Sequence, residues 1–143
     1  VVRIYLDACC ISRLTDDQSQ LRVREEAEAI ERILRQVRRG SLEWITSEAL
    51  DDEVGRIPSM ERRIEAQTLL SFASARIEID DKIIHRAGVL NQLGYGLYDA
   101  LHISAAESAS VDVLLSTDDR LIQRAMRGVG LPRILIQNPV SWR

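Results

Sequence analysis

Lysine is almost missing from this chain: of 19 basic side chains only Lys82 is a lysine, and the rest are arginine. That excludes a phosphate-binding P-loop, whose glycine frame is missing as well, and it argues against Schiff-base chemistry. Cysteine is equally scarce. Cys9 and Cys10 are adjacent, which is a poor basis for a disulfide framework and leaves them to pack as small apolar side chains. No apolar run approaches the roughly 20 residues of a membrane span, and the N-terminus lacks the layout of a signal peptide, so a cytoplasmic protein is expected. His85 has no ligand-like partner one helical turn on and reads as ordinary. A net charge of −3 and a pI near 5.4 exclude a generic polycation for nucleic acid. Arginine suits bidentate phosphate contacts, but composition alone names no partner.

What the chain does have is an ordinary globular mixture, 45% apolar and 29% charged over 143 residues. That is enough for a single domain, 1–143, with a full core. Val2 to Leu6 reads as a first strand, with Asp7 at its exit. Gln18 to Arg39 reads as a long amphipathic helix whose inner face carries Leu21, Ala27, Ile30, Leu34 and Val37. Its glutamates come early and its arginines late, which suits the helix dipole and makes the Arg35, Arg38 and Arg39 run a solvated face. Leu42 to Thr46 is a second strand, and Ser47 caps a short helix through Val54. After Pro58 a helix from Ser59 to about Ala73 carries Ile64, Leu69, Leu70 and Phe72.

Arg76 to Ile79 makes a third strand, and Asp80 and Asp81 open a helix through Leu93. Gly94 and Gly96 stop it, since glycine readily takes a positive φ. A further helix begins near Leu97, with Leu101 and Ala105 at helical spacing and Ala100, Ile103 and Ala106 broadening the apolar face. Asp112 to Leu115, a helix from Arg120 to Arg127 and a strand from Arg133 to Ile136 complete the order, with Trp142 in a tail that docks on the domain or on a partner. There is no internal repeat. Strands and helices alternate, which implies a parallel sheet with helices on both faces.

Four acids stand out against this frame. Asp99 lies in the apolar surround of Ala100 and Ile103, where a carboxylate loses solvation and needs a donor, a cation or a proton. The plainer account is a first-turn charge favouring the helix dipole. Asp7 and Asp118 each follow a strand, at the sheet edge where open α/β folds bind ligands; a turn or capping role is the plainer account. Glu53 shares the inward face of Ala49 and Leu50. Four carboxylates converging without lysines would repel one another, and Mg²⁺ or Mn²⁺ is the natural compensation. Such a site activates water and stabilises a leaving oxygen in phosphodiester cleavage.

The segments Ile-Tyr-Leu-Asp-Ala-Cys, Ser-Glu-Ala-Leu-Asp-Asp-Glu-Val, Tyr-Asp-Ala-Leu-His-Ile-Ser-Ala-Ala-Glu and Leu-Leu-Ser-Thr-Asp-Asp-Arg-Leu resemble the PIN-domain family of metal-dependent ribonucleases, which includes the VapC-type toxins of toxin–antitoxin pairs. The third segment is the most specific and the second the least. The resemblance implies a three-layer α/β/α fold whose parallel sheet of four to five strands runs 3-2-1-4-5. It implies Asp7, Glu53, Asp99 and Asp118 as the acidic Mg²⁺ or Mn²⁺ site, RNA as substrate, frequent homodimers and a possible protein antitoxin. Asp119 fits the last motif from Thr117 as Asp118 does from Ser116, so Asp119 stays open as an outer candidate. Glu48 is the fallback for Glu53, and His102 and Ser116 are expected to support the ligands. Glu107 is placed either at the acidic edge or on a solvated helix face. Cys9 and Cys10 stand where the family often has a small polar residue, which weakens the expected support from that loop.

Two other readings compete. A non-catalytic interaction module with a PIN-like fold would show no Mn²⁺-induced shift in melting temperature. A phospho-accepting, receiver-like domain also uses strand-end acids, but no lysine stands near the final strand.

Overall fold

The computed structural model describes residues 1–142. Parallel strands β1 (Val2–Leu6), β2 (Leu42–Ser47), β3 (Ala75–Ile77), β4 (Val113–Leu115) and β5 (Leu135–Gln137) form one sheet in the order β3-β2-β1-β4-β5. Between them run helices α1 (Ala8–Arg13), α2 (Leu21–Arg38), α3 (Glu48–Gly55), α4 (Met60–Leu70), α5 (Asp81–Gln92), α6 (Leu97–Ser108) and α7 (Asp119–Met126). The fold class and the strand order are those expected from the sequence.

The central strands are apolar at successive positions because both faces of the sheet are covered. Side chains alternate across it. Ile4, Leu6, Trp44, Val113 and Leu115 point into one core with Cys10, Ile30, Ile33, Leu50, Val54 and Leu70 of α1 to α4. Tyr5, Ile45 and Leu114 point into the other, with Ala87, Leu90, Ala100, Ile103, Ala106 and Leu121 of α5 to α7. Burying each large aliphatic side chain is worth roughly 1.5–3 kcal/mol, so the two cores hold β1 between them. The alanines of α6, fully buried, let that helix lie close against its neighbours.

The order reverses at β1, which pairs with β2 on one side and β4 on the other. Such a switch point leaves a crevice at the carboxyl ends of the strands. The ladder runs past the strand ends, with Asp7 N–H donating to Leu115 O at 3.0 Å and Ser116 N–H to Gln137 O at 3.0 Å. The backbones of the two exits are thereby fixed at the crevice.

Several local expectations need correction. Residues Ala8 to Arg13 form α1 directly after Asp7; a helix this short shows no sustained periodicity. Leu21 and Leu97, expected on inner helix faces, are 59% and 63% exposed, each at the first residue of its helix. Of the two glycines before α6 only Gly94 has a positive φ, +110°. Gly96 takes the N-cap position at φ −61°. Strand bounds shift by a residue or two, as element ends commonly do. Trp142 packs against the α1–α4 core, so the tail docks on the chain itself. No helix among the described residues is long and apolar enough to cross a membrane.

Candidate metal centre

Asp7 leaves β1 directly into the crevice and is buried. Its Oδ2 accepts a hydrogen bond from Ser116 Oγ at 3.0 Å. Ser116, fully buried at the exit of β4, also accepts from Asp118 N–H at 3.1 Å. One hydroxyl therefore ties the two strand-exit acids together. Cys9, on the first turn of α1, closes the clasp: its Sγ lies 3.4 Å from Ser116 Oγ and accepts from Thr117 N–H at 3.3 Å. The thiol thus gives the support that its weak hydrogen bonding put in question from sequence.

Glu53 comes from the second turn of α3. Ser47 caps this helix by accepting from Leu50 N–H, so the turn that carries Glu53 is anchored at the end of β2. Glu53 Oε1 lies 2.7 Å from His102 Nε2, and that nitrogen is 3.9 Å from Asp7 Oδ1. Ligand atoms of Asp7, Glu53 and His102 all lie within 4.8 Å of one another. His102 is buried on α6, and the Tyr98 ring stacks beside it with centroids 6.2 Å apart at 19°.

Asp99 sits one turn before His102 on α6, outside this tight triad but within its field. Its carboxyl is pushed up to about 7 by burial first, then by the charges of Asp7 and Asp118, with Glu53 adding to them and His102 opposing. No hydrogen bond contributes to that balance. For His102, burial disfavours the charged ring, but the hydrogen bond it donates to Glu53 and the fields of Asp7, Glu53 and Asp99 outweigh it, and its pKa is raised. Asp118 is the N-cap of α7, where Oδ1 accepts from Arg120 N–H at 2.9 Å and Leu121 N–H at 3.3 Å. The capping account of Asp118 thus holds for one oxygen.

The remaining candidates fall elsewhere. Asp119 turns away to pair with both terminal nitrogens of Arg22, at 2.8 and 2.9 Å. Glu48 stays in the first turn of α3, as a dipole-favouring charge would. Glu107 neither reaches the acidic edge nor faces solvent: its side chain is 1% exposed and paired with Arg86 at 2.9 Å. Tyr5 is the residue that sequence reasoning missed. It lies on the buried face of β1, with its hydroxyl 2.6 Å from His102 Nδ1 and 2.6 Å from Ser47 Oγ. A tyrosine at a fully buried strand position was the available signal, since a buried hydroxyl needs a partner.

The tight triad offers two carboxylates and one imidazole, and carboxylate oxygen is the class that Mg²⁺ and Mn²⁺ take. The fit rests on Asp99: a half-buried acid in the fields of three others, opposed only by His102, would be stabilised by a cation.

A family model described as PIN domain matches residues 4–126. Among curated proteins no sequence matches the chain. Among solved structures, the chain is similar to VapBC-1 from nontypeable Haemophilus influenzae, with a TM-score of 0.64 at 16% identity over 98% of this chain and 100% of that one. It is similar to VapBC2 from Rickettsia felis bound to a DNA fragment from their promoter, with a TM-score of 0.62 at 11% identity over 96% and 98%. DNA-bound VapBC from Salmonella typhimurium gives 0.59 at 17% identity over 97% and 99%. At such identities these structures speak to the fold, and the family model speaks to membership: the chain belongs to the PIN domain family.

Proposed function

We propose that the chain is a divalent-metal-dependent endoribonuclease in which Asp7, Glu53, Asp99 and Asp118 hold Mg²⁺ or Mn²⁺. The single observation that carries this reading is Asp99, an acid on an apolar helix face that lies in the fields of Asp7, Asp118 and Glu53, with His102 the one opposing charge. A divalent ion bound there supplies Lewis acidity toward a phosphodiester and lowers the pKa of water. The chain's own residues hold the geometry. Ser116 fixes one oxygen of Asp7 and the backbone of Asp118, and His102 holds Glu53. Asp118 keeps its second carboxylate oxygen free of the cap. Arg120, exposed and two residues after Asp118, suits a phosphate backbone.

The reading extends to partners. The similar structures named above are VapBC complexes, two of them with DNA, which supports a toxin of the toxin–antitoxin kind that pairs with a protein antitoxin and with a second copy of itself. The test is cleavage of a mixed pool of structured RNAs in Mg²⁺, Mn²⁺ or EDTA, with Asp99→Asn alongside. Metal-dependent cutting that the variant lacks is the expected result. Equal cutting by both proteins would sink the assignment of Asp99. Absence of both cutting and Mn²⁺ binding would move the reading to a non-catalytic interaction module.

A further inference from the structure

A continuous line of hydrogen bonds runs behind Glu53, out of reach of solvent. It starts at Leu50 N–H, which donates to Ser47 Oγ at 3.2 Å. Ser47 Oγ lies 2.6 Å from Tyr5 Oη, and Tyr5 Oη lies 2.6 Å from His102 Nδ1. His102 Nε2 then meets Glu53 Oε1 at 2.7 Å. Ser47 and Tyr5 are fully buried and His102 is 1% exposed, so every donor and acceptor along the line must be satisfied by its neighbours.

For the neutral ring that requirement fixes the direction of each bond. A carboxylate only accepts, so His102 Nε2 carries the proton. In the neutral ring Nδ1 is then an acceptor, and Tyr5 O–H donates to it. The lone pair of Tyr5 receives the Ser47 hydroxyl proton, and Ser47 receives Leu50 N–H. Each group is used once in each capacity. The opposite direction would have Ser47 accept from both Leu50 and Tyr5, leaving its own proton buried with no acceptor, and would point a bare Nε2 at a carboxylate. An unmet buried donor costs about 1–3 kcal/mol.

We propose that Tyr5 and Ser47 are positioning residues that lock His102 with its proton on Nε2, so that the ring donates to Glu53 and is withheld from the ion. The inference rests on reading the crevice as a metal centre. Asp7, Glu53 and His102 otherwise have the makings of a mixed nitrogen and oxygen site, which would suit Zn²⁺, Ni²⁺ or Fe²⁺. The lock removes the nitrogen from that set. An ion here is held by oxygen alone, and selection moves toward Mg²⁺ and Mn²⁺ through the second hydrogen bond of a histidine, not through a change of ligand. The same line joins β1, the cap of α3 and α6, so Glu53 is held to both the sheet and the helix that bears Asp99.

The experiment is imidazole ¹⁵N NMR of the chain at alkaline pH, where the ring is neutral. A His85→Gln background leaves His102 as the sole histidine. The expected spectrum has Nε2 protonated and Nδ1 in the range of a hydrogen-bond acceptor, unchanged when Mg²⁺ or Zn²⁺ is added. Protonation at Nδ1, or a shift of Nε2 into the range of a metal-bound nitrogen, would overturn the proposal. In Tyr5→Phe, checked for its fold by circular dichroism, the Nδ1 signal moves to the range of a free acceptor. Mn²⁺ affinity read by electron paramagnetic resonance falls roughly 10- to 100-fold. Unchanged Nδ1 shift and Mn²⁺ affinity in that variant would also overturn it. If the wild type binds no Mn²⁺, the metal-centre reading falls, while the wild-type tautomer still decides the direction of the lock.

Discussion

Helix α6 carries two buried or half-buried acids, and they live in opposite surroundings. Glu107, in its last turn, receives Arg86 at 2.9 and 3.1 Å and the backbone N–H of Arg133 at 2.8 Å. Arg86 also donates to Gly130 O at 2.8 Å, so this pair clamps α5, α6 and the loop before β5. Glu26 on α2 repeats the pattern, with Arg13 at 2.7 Å, Arg22 at 3.3 Å and Asn138 at 2.6 Å. Asp99, in the first turn of α6, lies instead in the fields of Asp7, Asp118 and Glu53, with only His102 opposing them. Where a buried acid has found cations and donors, it is part of the framework. Where its neighbours are acids, a demand is left unmet, and that is what the proposed metal centre would supply.

The largest effects should separate these two ends of one helix. Asp99→Asn keeps the shape of the side chain and removes its charge, so cleavage is expected to fall on the order of a hundredfold or more. The metal-free variant should melt above wild type at neutral pH and higher, because a repelled charge is gone. A thermal melt in EDTA checks this, and a lower melting temperature would contradict the electrostatic account. Glu107→Ala should do the reverse. It leaves Arg86 and the Arg133 N–H short of an acceptor, destabilises the chain by about 1–3 kcal/mol, and leaves the Mn²⁺ affinity of the folded fraction unchanged. Urea unfolding with a parallel Mn²⁺ titration reads both, and a Glu107 variant that unfolds like wild type would break the comparison.

Asp99 was legible in the sequence and Glu107 was not, for one physical reason. Helical spacing shows which face of α6 is apolar, so an acid on that face declares itself. It does not show what comes from the neighbouring helix, and Glu107 is explained only by Arg86 of α5 and the loop at Arg133. The parallel sheet and the two strand exits were legible because unbroken apolar runs and the acids after them are local signals, whereas the strand order came only from the family resemblance. The Tyr5, Ser47 and His102 line was not, because its members come from three elements far apart in the chain. Cys9 was read only as a weak hydrogen-bonding group, yet its position on α1 brings it to Ser116. Leu21 misled because amphipathic spacing on α2 does not say which apolar residues at a helix end stay outside.

A smaller effect is the pH dependence of the metal-free chain. The Asp99 carboxyl holds its proton up to about pH 7 in the fold, whereas its ordinary value is 3.8. Between these values the folded state binds more protons than the unfolded one, so stability falls as pH rises. His102 acts in the same sense: its folded pKa is raised, so its contribution is full below the ordinary 6.5 and is lost as pH climbs through the folded value. The chain in EDTA should therefore be less stable at slightly alkaline than at mildly acidic pH, on the order of 2 kcal/mol after allowance for screening. Mn²⁺ should remove most of that slope. A flat profile in EDTA would mean that the acids are further apart than the fields on Asp99 require.

The finest distinction lies between adjacent residues, Asp118 and Asp119, which the sequence motif leaves interchangeable. Asp118 caps α7 with Oδ1 and leaves Oδ2 for the crevice. Asp119 is exposed and spends both oxygens on Arg22. Asparagine caps helices about as well as aspartate, so Asp118→Asn should keep the melting temperature of the EDTA form near wild type while weakening Mn²⁺ binding and cleavage together. Asp119→Asn removes only an exposed ion pair, a class that contributes little, and should change cleavage by less than about twofold. Titrating Mn²⁺ into both variants decides between them. If Asp119→Asn were the one to lose the ion, the Arg22 pair would have to open when metal binds, and the loop from Thr117 to Asp119 would be the part of the centre that rearranges.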